Sequence, residues 1–93
     1  MRTGDIYAVT ATLNLALVDL NLGHLDAAER GARWAQAALA ALGSPQALKA
    51  SHNLALILDE RGAVTEACAL YEDVAATRRK ELGAAHAARR GAD

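Results

Sequence analysis

The chain has no Phe, and its aromatic content is one Trp and two Tyr. A conventional core built on large rings is therefore excluded, and Ala and Leu must do the packing. One cysteine, Cys68, rules out an internal disulfide and leaves no Cys partner for a zinc site, which fits a reducing cytoplasm. Pro occurs once, so the chain has few enforced breaks. No apolar run approaches the roughly 20 residues of a membrane span, because Thr, Asn and Asp interrupt them, and no signal-like apolar core is present near the start. The expectation is a soluble, unexported, cytoplasmic protein with no membrane contact. Charge of one sign is also missing: the net charge is −1 and the pI about 6.3. Without a global basic field, nucleic acid is disfavoured as the principal partner.

What remains is a sequence that is 53% hydrophobic and 23% charged, spread over 93 residues. That is globular composition, in one small domain whose folding buries only roughly 60 to 70% of the unfolded surface. Ala is the best helix former and Leu follows closely, while Val, Ile, Thr and Tyr are too sparse for a sheet. The chain reads as all-α.

Internal self-similarity organises it further. Asn14-Leu15-Ala16-Leu17-Val18 recurs as Asn53-Leu54-Ala55-Leu56-Ile57, and Gly23 recurs as Gly62, all at an offset of 39 residues. Leu25 and Ala28 after the first glycine correspond to Val64 and Ala67 after the second. The units close on Leu42-Gly43 and Leu82-Gly83, an offset of 40, so the second helix of the first unit is one residue shorter. Each glycine supplies the positive φ that ends a helix and reverses the chain. Leu25, Ala28, Ala32, Ala35, Leu39 and Leu42 recur at three- and four-residue steps, as do Val64, Ala67, Leu70, Tyr71 and Val74, so each second helix buries one stripe. The first helices are apolar almost all round, with Ile6, Val9, Leu13, Leu15, Ala16, Leu17, Val18 and Leu20, and should be packed on more than one side.

Cap signals mark four helices, at about 5–22, 25–42, 45–61 and 64–82. Asp5 is the expected N-cap of the first, Asp26 starts the second, and Ser44-Pro45 starts the third with Pro at its first position; Thr65 with Glu66 begins the fourth. The expected organisation is a single domain over 1–93, with unit one at about 5–43, unit two at about 44–83 and a tail at 84–93 that either frays or extends the last helix.

Residues 53 to 86, N-L-A-L-I-L-D-E-R-G-A-V-T-E-A-C-A-L-Y-E-D-V-A-A-T-R-R-K-E-L-G-A-A-H, resemble the tetratricopeptide repeat, and specifically its longer kinesin-light-chain-like subtype, through the closing Leu-Gly and the His three residues later. Unit one is a weaker match. It has Asp19 and Ala32 where the family has a bulky residue and a facing aromatic; unit two has Leu58 and Tyr71, so the interior of unit one is expected to be looser. The resemblance implies antiparallel helical hairpins stacked as a short right-handed α-solenoid, whose first helices line a concave groove for an extended or helical peptide. Mapped onto this chain, the groove positions are Thr10, Leu13, Asn14, Leu17 and Asn21 in unit one and Lys49, His52, Asn53, Leu56 and Glu60 in unit two. Family members that hold the tails of chaperones do so with Lys and Arg. Those positions are Leu13 and His52 here, so that clamp is missing and Lys49 is the one cation placed in the groove.

Asn14 and Asn53 carry two readings. A side-chain amide offers two donors and an acceptor to a bound peptide unit, or it serves a structural hydrogen bond. His24, His52 and His86 have no metal-ligand spacing with one another or with Cys68, so no metal and no cofactor is expected. Cys68 beside Ala67 reads as a small buried hydrophobe. Arg78-Arg79-Lys80 and Arg89-Arg90 are local basic clusters, the first read as cations in a last helical turn and, alternatively, as a contact for an acidic partner or RNA. Trp34 lies on the polar edge of its helix, either covering the shortened helix or marking an interface. No phosphate loop or Ser/His/Asp order is present, and the paired carboxylates Asp59-Glu60 read as a helix end, so no enzyme activity is expected.

The function expected is a non-enzymatic module that binds a peptide segment of a protein partner. Two alternatives stand beside it: a self-associating structural module, and a regulatory fragment of a larger signalling or transcription protein. Two repeats are fewer than such arrays usually need, so the end faces should be sticky and a homodimer is expected.

Overall fold

A computed structural model describes the backbone of residues 3–91 and the side chains of residues 6–84. Four helices follow one another: α1 (Thr3–Asn21), α2 (Leu25–Ala41), α3 (Ala47–Glu60) and α4 (Val64–Gly91). No strand occurs among the described residues, and the expected all-α hairpin architecture is the one observed.

The three turns are built alike. Gly23, Gly43 and Gly62 have φ of 81°, 64° and 84°. At each, the glycine N–H donates to the carbonyl three residues back, and the following N–H donates to the carbonyl five residues back. His24 donates to Asp19 at 2.8 Å, Ser44 to Leu39 at 3.0 Å and Ala63 to Leu58 at 2.8 Å. This is the Schellman arrangement, which satisfies carbonyls that the helix end would otherwise leave unpaired.

Helix starts depart from the cap signals in two places. α1 already runs from Thr3, so Asp5 lies inside it and does not cap it. α3 starts at Ala47, not at Pro45. The Ser44 carbonyl accepts from the Ala47 N–H at 3.0 Å, and Ser44 Oγ accepts from the Gln46 N–H at 3.2 Å. Ser44 to Ala47 is thus a β-turn with Pro in its second place, where its fixed φ fits, and the helix begins behind it.

The last helix also differs from expectation in length. Gly83 is not among the glycines with positive φ, and α4 continues through it to Gly91. Of the two outcomes open for the tail, the backbone takes the helical one.

Two clusters form the core. Val9 and Leu13 of α1 meet Ala35 and Leu39 of α2 and Ala50 of α3. Ala16 of α1 meets Ala28 and Ala32 of α2, Leu54, Ile57 and Leu58 of α3, and Ala67 of α4. The α2 stripe of small residues belongs to both, so α2 holds α1 on one side and α3 on the other. Its smallness permits close approach: a Cβ at Gly31 would lie 3.5 Å from Ala16 Cβ and Thr12 Cγ2. Ala32 is fully covered, while Asp19 turns to the helix end, its carboxylate 3.6 Å from His24 Nδ1.

α3 packs along α2 and α4 and touches α1 only briefly. Apolar residues on more than one face of α3 are therefore buried, as the sequence suggests. On α1 that expectation fails, because nothing described lies against its second face: Leu15 is 59% and Val18 50% exposed.

Candidate functional site

The first helices of the two hairpins bring their C-terminal ends together. Leu20 and Asn21 of α1 and Leu56, Asp59 and Glu60 of α3 enclose a cleft of about 300 Å³. The positions follow from helical spacing. Asp59 and Glu60 stand three and four residues beyond Leu56 on one face of α3, and a Schellman turn ends each of the two helices. Leu20 and Leu56 are half-buried and supply apolar surface, while Asn21, Asp59 and Glu60 are exposed. Chemically, the cleft offers a small apolar seat beside two carboxylates and an amide.

Asn21, Leu56 and Glu60 are expected from the sequence to share a groove, and they line this cleft. Thr10 and Leu17 are half-buried on α1, and Asn14 is exposed there; Lys49 is exposed on α3. His52 is half-buried, its ring meeting that of Tyr71 edge-on at 5.6 Å between centroids. Two expected groove residues lie in the interior instead. Leu13 is 1% exposed because it faces Leu39 and Ala50 in the core, and Asn53 is 5% exposed on the side of α3 turned away from solvent. Leu20 and Asp59 are not marked as groove positions by the sequence. Each neighbours a residue that is, and Asp59 lies one turn beyond Leu56.

A second polar feature joins the hairpins. Arg33 of α2 pairs with Glu29 at 3.0 Å and with Glu66 of α4 at 2.9 Å. Arg61, just after α3, pairs with Asp26 and, at 3.0 Å, with Glu29. The hydrogen bond from Arg61 and then its charge hold the Asp26 carboxyl below its ordinary 3.8, with Arg30 adding to the effect against partial desolvation. Hydrogen bonds to Glu29 and Glu66 hold the Arg33 guanidinium above its ordinary value, and that to Asp26 does the same for Arg61. Burial, then the negative charges of Asp59 and Cys68, push the Tyr71 hydroxyl above 10.0.

Other candidates fall away or move. Cys68 is exposed, not buried, because Ala67 beside it takes the inward position. Arg78, Arg79 and Lys80 are exposed, and since α4 runs on to Gly91 they do not occupy its last turn, which removes the helix-dipole reading. Trp34 is 51% exposed. The side chains of Asp5, His86, Arg89 and Arg90 lie outside the described residues. Among the described residues, no group of three His, Cys, Asp or Glu could hold a metal ion, and no helix is long and apolar enough to cross a membrane.

A family model described as "Tetratricopeptide repeat" matches residues 48–88, which take in all but the first residue of α3 and most of α4. Residues 48–88 carry a tetratricopeptide repeat. Unit one lies outside the matched span, yet it repeats the same hairpin with the same Schellman turn. No match was found among curated proteins or solved structures. Tetratricopeptide repeats are non-catalytic units of protein–protein interaction.

Proposed function

We propose that the repeat pair binds a peptide segment of a partner protein, without catalysis, in the groove that runs along α1 and α3 to their C-terminal ends. The observation that carries this reading is the cleft of Leu20, Asn21, Leu56, Asp59 and Glu60, where the first helices of both hairpins present apolar and polar groups together. Thr10, Asn14, Leu17, Lys49 and His52 extend the surface along the two helices.

The cleft favours a particular peptide. An apolar side chain seats on Leu20 and Leu56, and a Lys or Arg beside it reaches Asp59 and Glu60. A charge-assisted hydrogen bond to a carboxylate contributes about 1.5–3 kcal/mol when shielded from water and less at this exposed rim. Asn21 offers its amide to the peptide backbone. The site of action is the cytoplasm, where the exposed Cys68 thiol stays reduced.

Selection from a random peptide display library tests the proposal. Enriched sequences should pair an apolar residue with Lys or Arg, and should lose binding to the Leu56→Glu variant. Enrichment of acidic sequences, or binders indifferent to Leu56→Glu, would contradict it.

A further inference from the structure

The 39-residue offset allows each surface of one hairpin to be compared with its counterpart in the other. Ala50, Leu54 and Ile57 of α3 are at most 3% exposed, buried on the side that packs on α2. Their counterparts on α1 are Ala11, Leu15 and Val18, all exposed, and Leu22 continues the stripe at 64%. The occupant that such a stripe accepts is therefore on view inside the molecule: the second helix of a preceding hairpin.

The charges at the seam say which hairpin fits. The counterpart of Leu22 is Arg61, held by Asp26 and Glu29 of α2. A hairpin like unit one, placed on α1, would set those two carboxylates against Leu22 with no cation to answer them. Unit two carries Thr65 and Cys68 at the same two positions, exposed and uncharged. The outer faces of α1 and α4 thus lack opposite halves of one ion cluster, and they match each other. Glu72 takes the place of Arg33 and would face Ala27; it is exposed and stays at the wet rim of the contact.

We propose that a second copy of this chain covers the α1 stripe, head to tail, with α4 of one copy docking on Ala11, Leu15, Val18 and Leu22 of the next. Such a contact is heterologous, so it leaves one free face at each end and assembly continues beyond a pair, in contrast to the closed homodimer expected from the sequence. The cleft between α1 and α3 is not part of the contact and remains open to a peptide.

Sedimentation velocity on the 93-residue chain under reducing conditions tests this, with two variants at exposed positions whose helicity is checked by circular dichroism. Leu15→Glu blocks the α1 face, and Cys68→Glu restores a carboxylate opposite Leu22 and blocks the α4 face. The wild type should grow past the dimer as concentration rises, each variant alone should be monomeric, and an equimolar mixture should form a complex of two chains, because each variant supplies the face the other lacks. A monomeric wild type would overturn the proposal. So would a mixture that stays monomeric, or a Cys68→Glu variant that still dimerises, which would assign the contact to two α1 faces meeting about a two-fold axis.

Discussion

Asn14 and Asn53 occupy the same position of the two hairpins, yet Asn14 is exposed while Asn53 is 5% exposed, with an Nδ2 that meets no hydrogen-bond partner among the described residues. The difference is stacking: α3 lies between α2 of the other hairpin and its own partner α4, whereas α1 packs on α2 and touches α3 only briefly. A buried donor without a partner costs about 1–3 kcal/mol, and replacing it by an apolar group of similar shape is neutral or favourable. Asn53→Leu should therefore keep or raise the melting temperature, and Asn14→Leu should leave it unchanged. Thermal unfolding followed by far-ultraviolet circular dichroism checks this; a clear loss of stability in Asn53→Leu would show that the amide is paired.

The glycines separate into two kinds that respond oppositely to alanine. Gly62 holds φ at 84°, so Gly62→Ala should cost about 1–2 kcal/mol, the penalty for a Cβ in the left-handed region. Gly83 is helical, and a methyl group added there would meet nothing within 4 Å, so Gly83→Ala should stabilise by about 0.5–1 kcal/mol. Urea unfolding of both variants measures the two signs.

Arg33 and Glu66 tie α2 to α4, with side chains 44% and 48% exposed. Solvent screens such a pair, and a double-mutant cycle through Arg33→Ala and Glu66→Ala should return a coupling of about 0.2–1 kcal/mol that shrinks as salt is added. A coupling that does not respond to salt would mean the pair is drier than its exposure indicates.

Asp26 gives the seam a pH dependence of known sign. Its folded carboxyl titrates below 3.8, so its contribution to stability is present above pH 3.8 and is lost as pH falls through the lower folded value. Carboxyl NMR titration should place Asp26 below 3.8 in the wild type and move it upward in Arg61→Gln. An unchanged midpoint would show that Arg61 does not hold it.

Much of this architecture is legible in the sequence for a physical reason. Gly23 and Gly62 recur in phase because a helix must end in a left-handed residue to turn back tightly, and that demand leaves a visible mark. Gly83 carries the same letter without the same demand: the Ala-rich run behind it continues the helix, so the glycine is tolerated within α4. The burial of Leu13 and Asn53 and the exposure of Cys68 are not legible, because neighbouring residues on a helix differ by about 100° in direction, and a helix apolar all round does not reveal which side is covered. In the cleft, Asn21, Leu56 and Glu60 are legible from repeat position. Leu20 and Asp59 join them through the way α1 and α3 approach, which is a property of packing and not of either helix alone.

The central claim, that the cleft between α1 and α3 receives an apolar side chain with a cation beside it, is tested most directly by calorimetric titration of a selected peptide into the wild type and into the Asp59→Lys, Glu60→Lys double variant. The predicted result is a loss of at least about tenfold in affinity, or about 1.4 kcal/mol, with helicity unchanged. Equal affinity for the two proteins would contradict it.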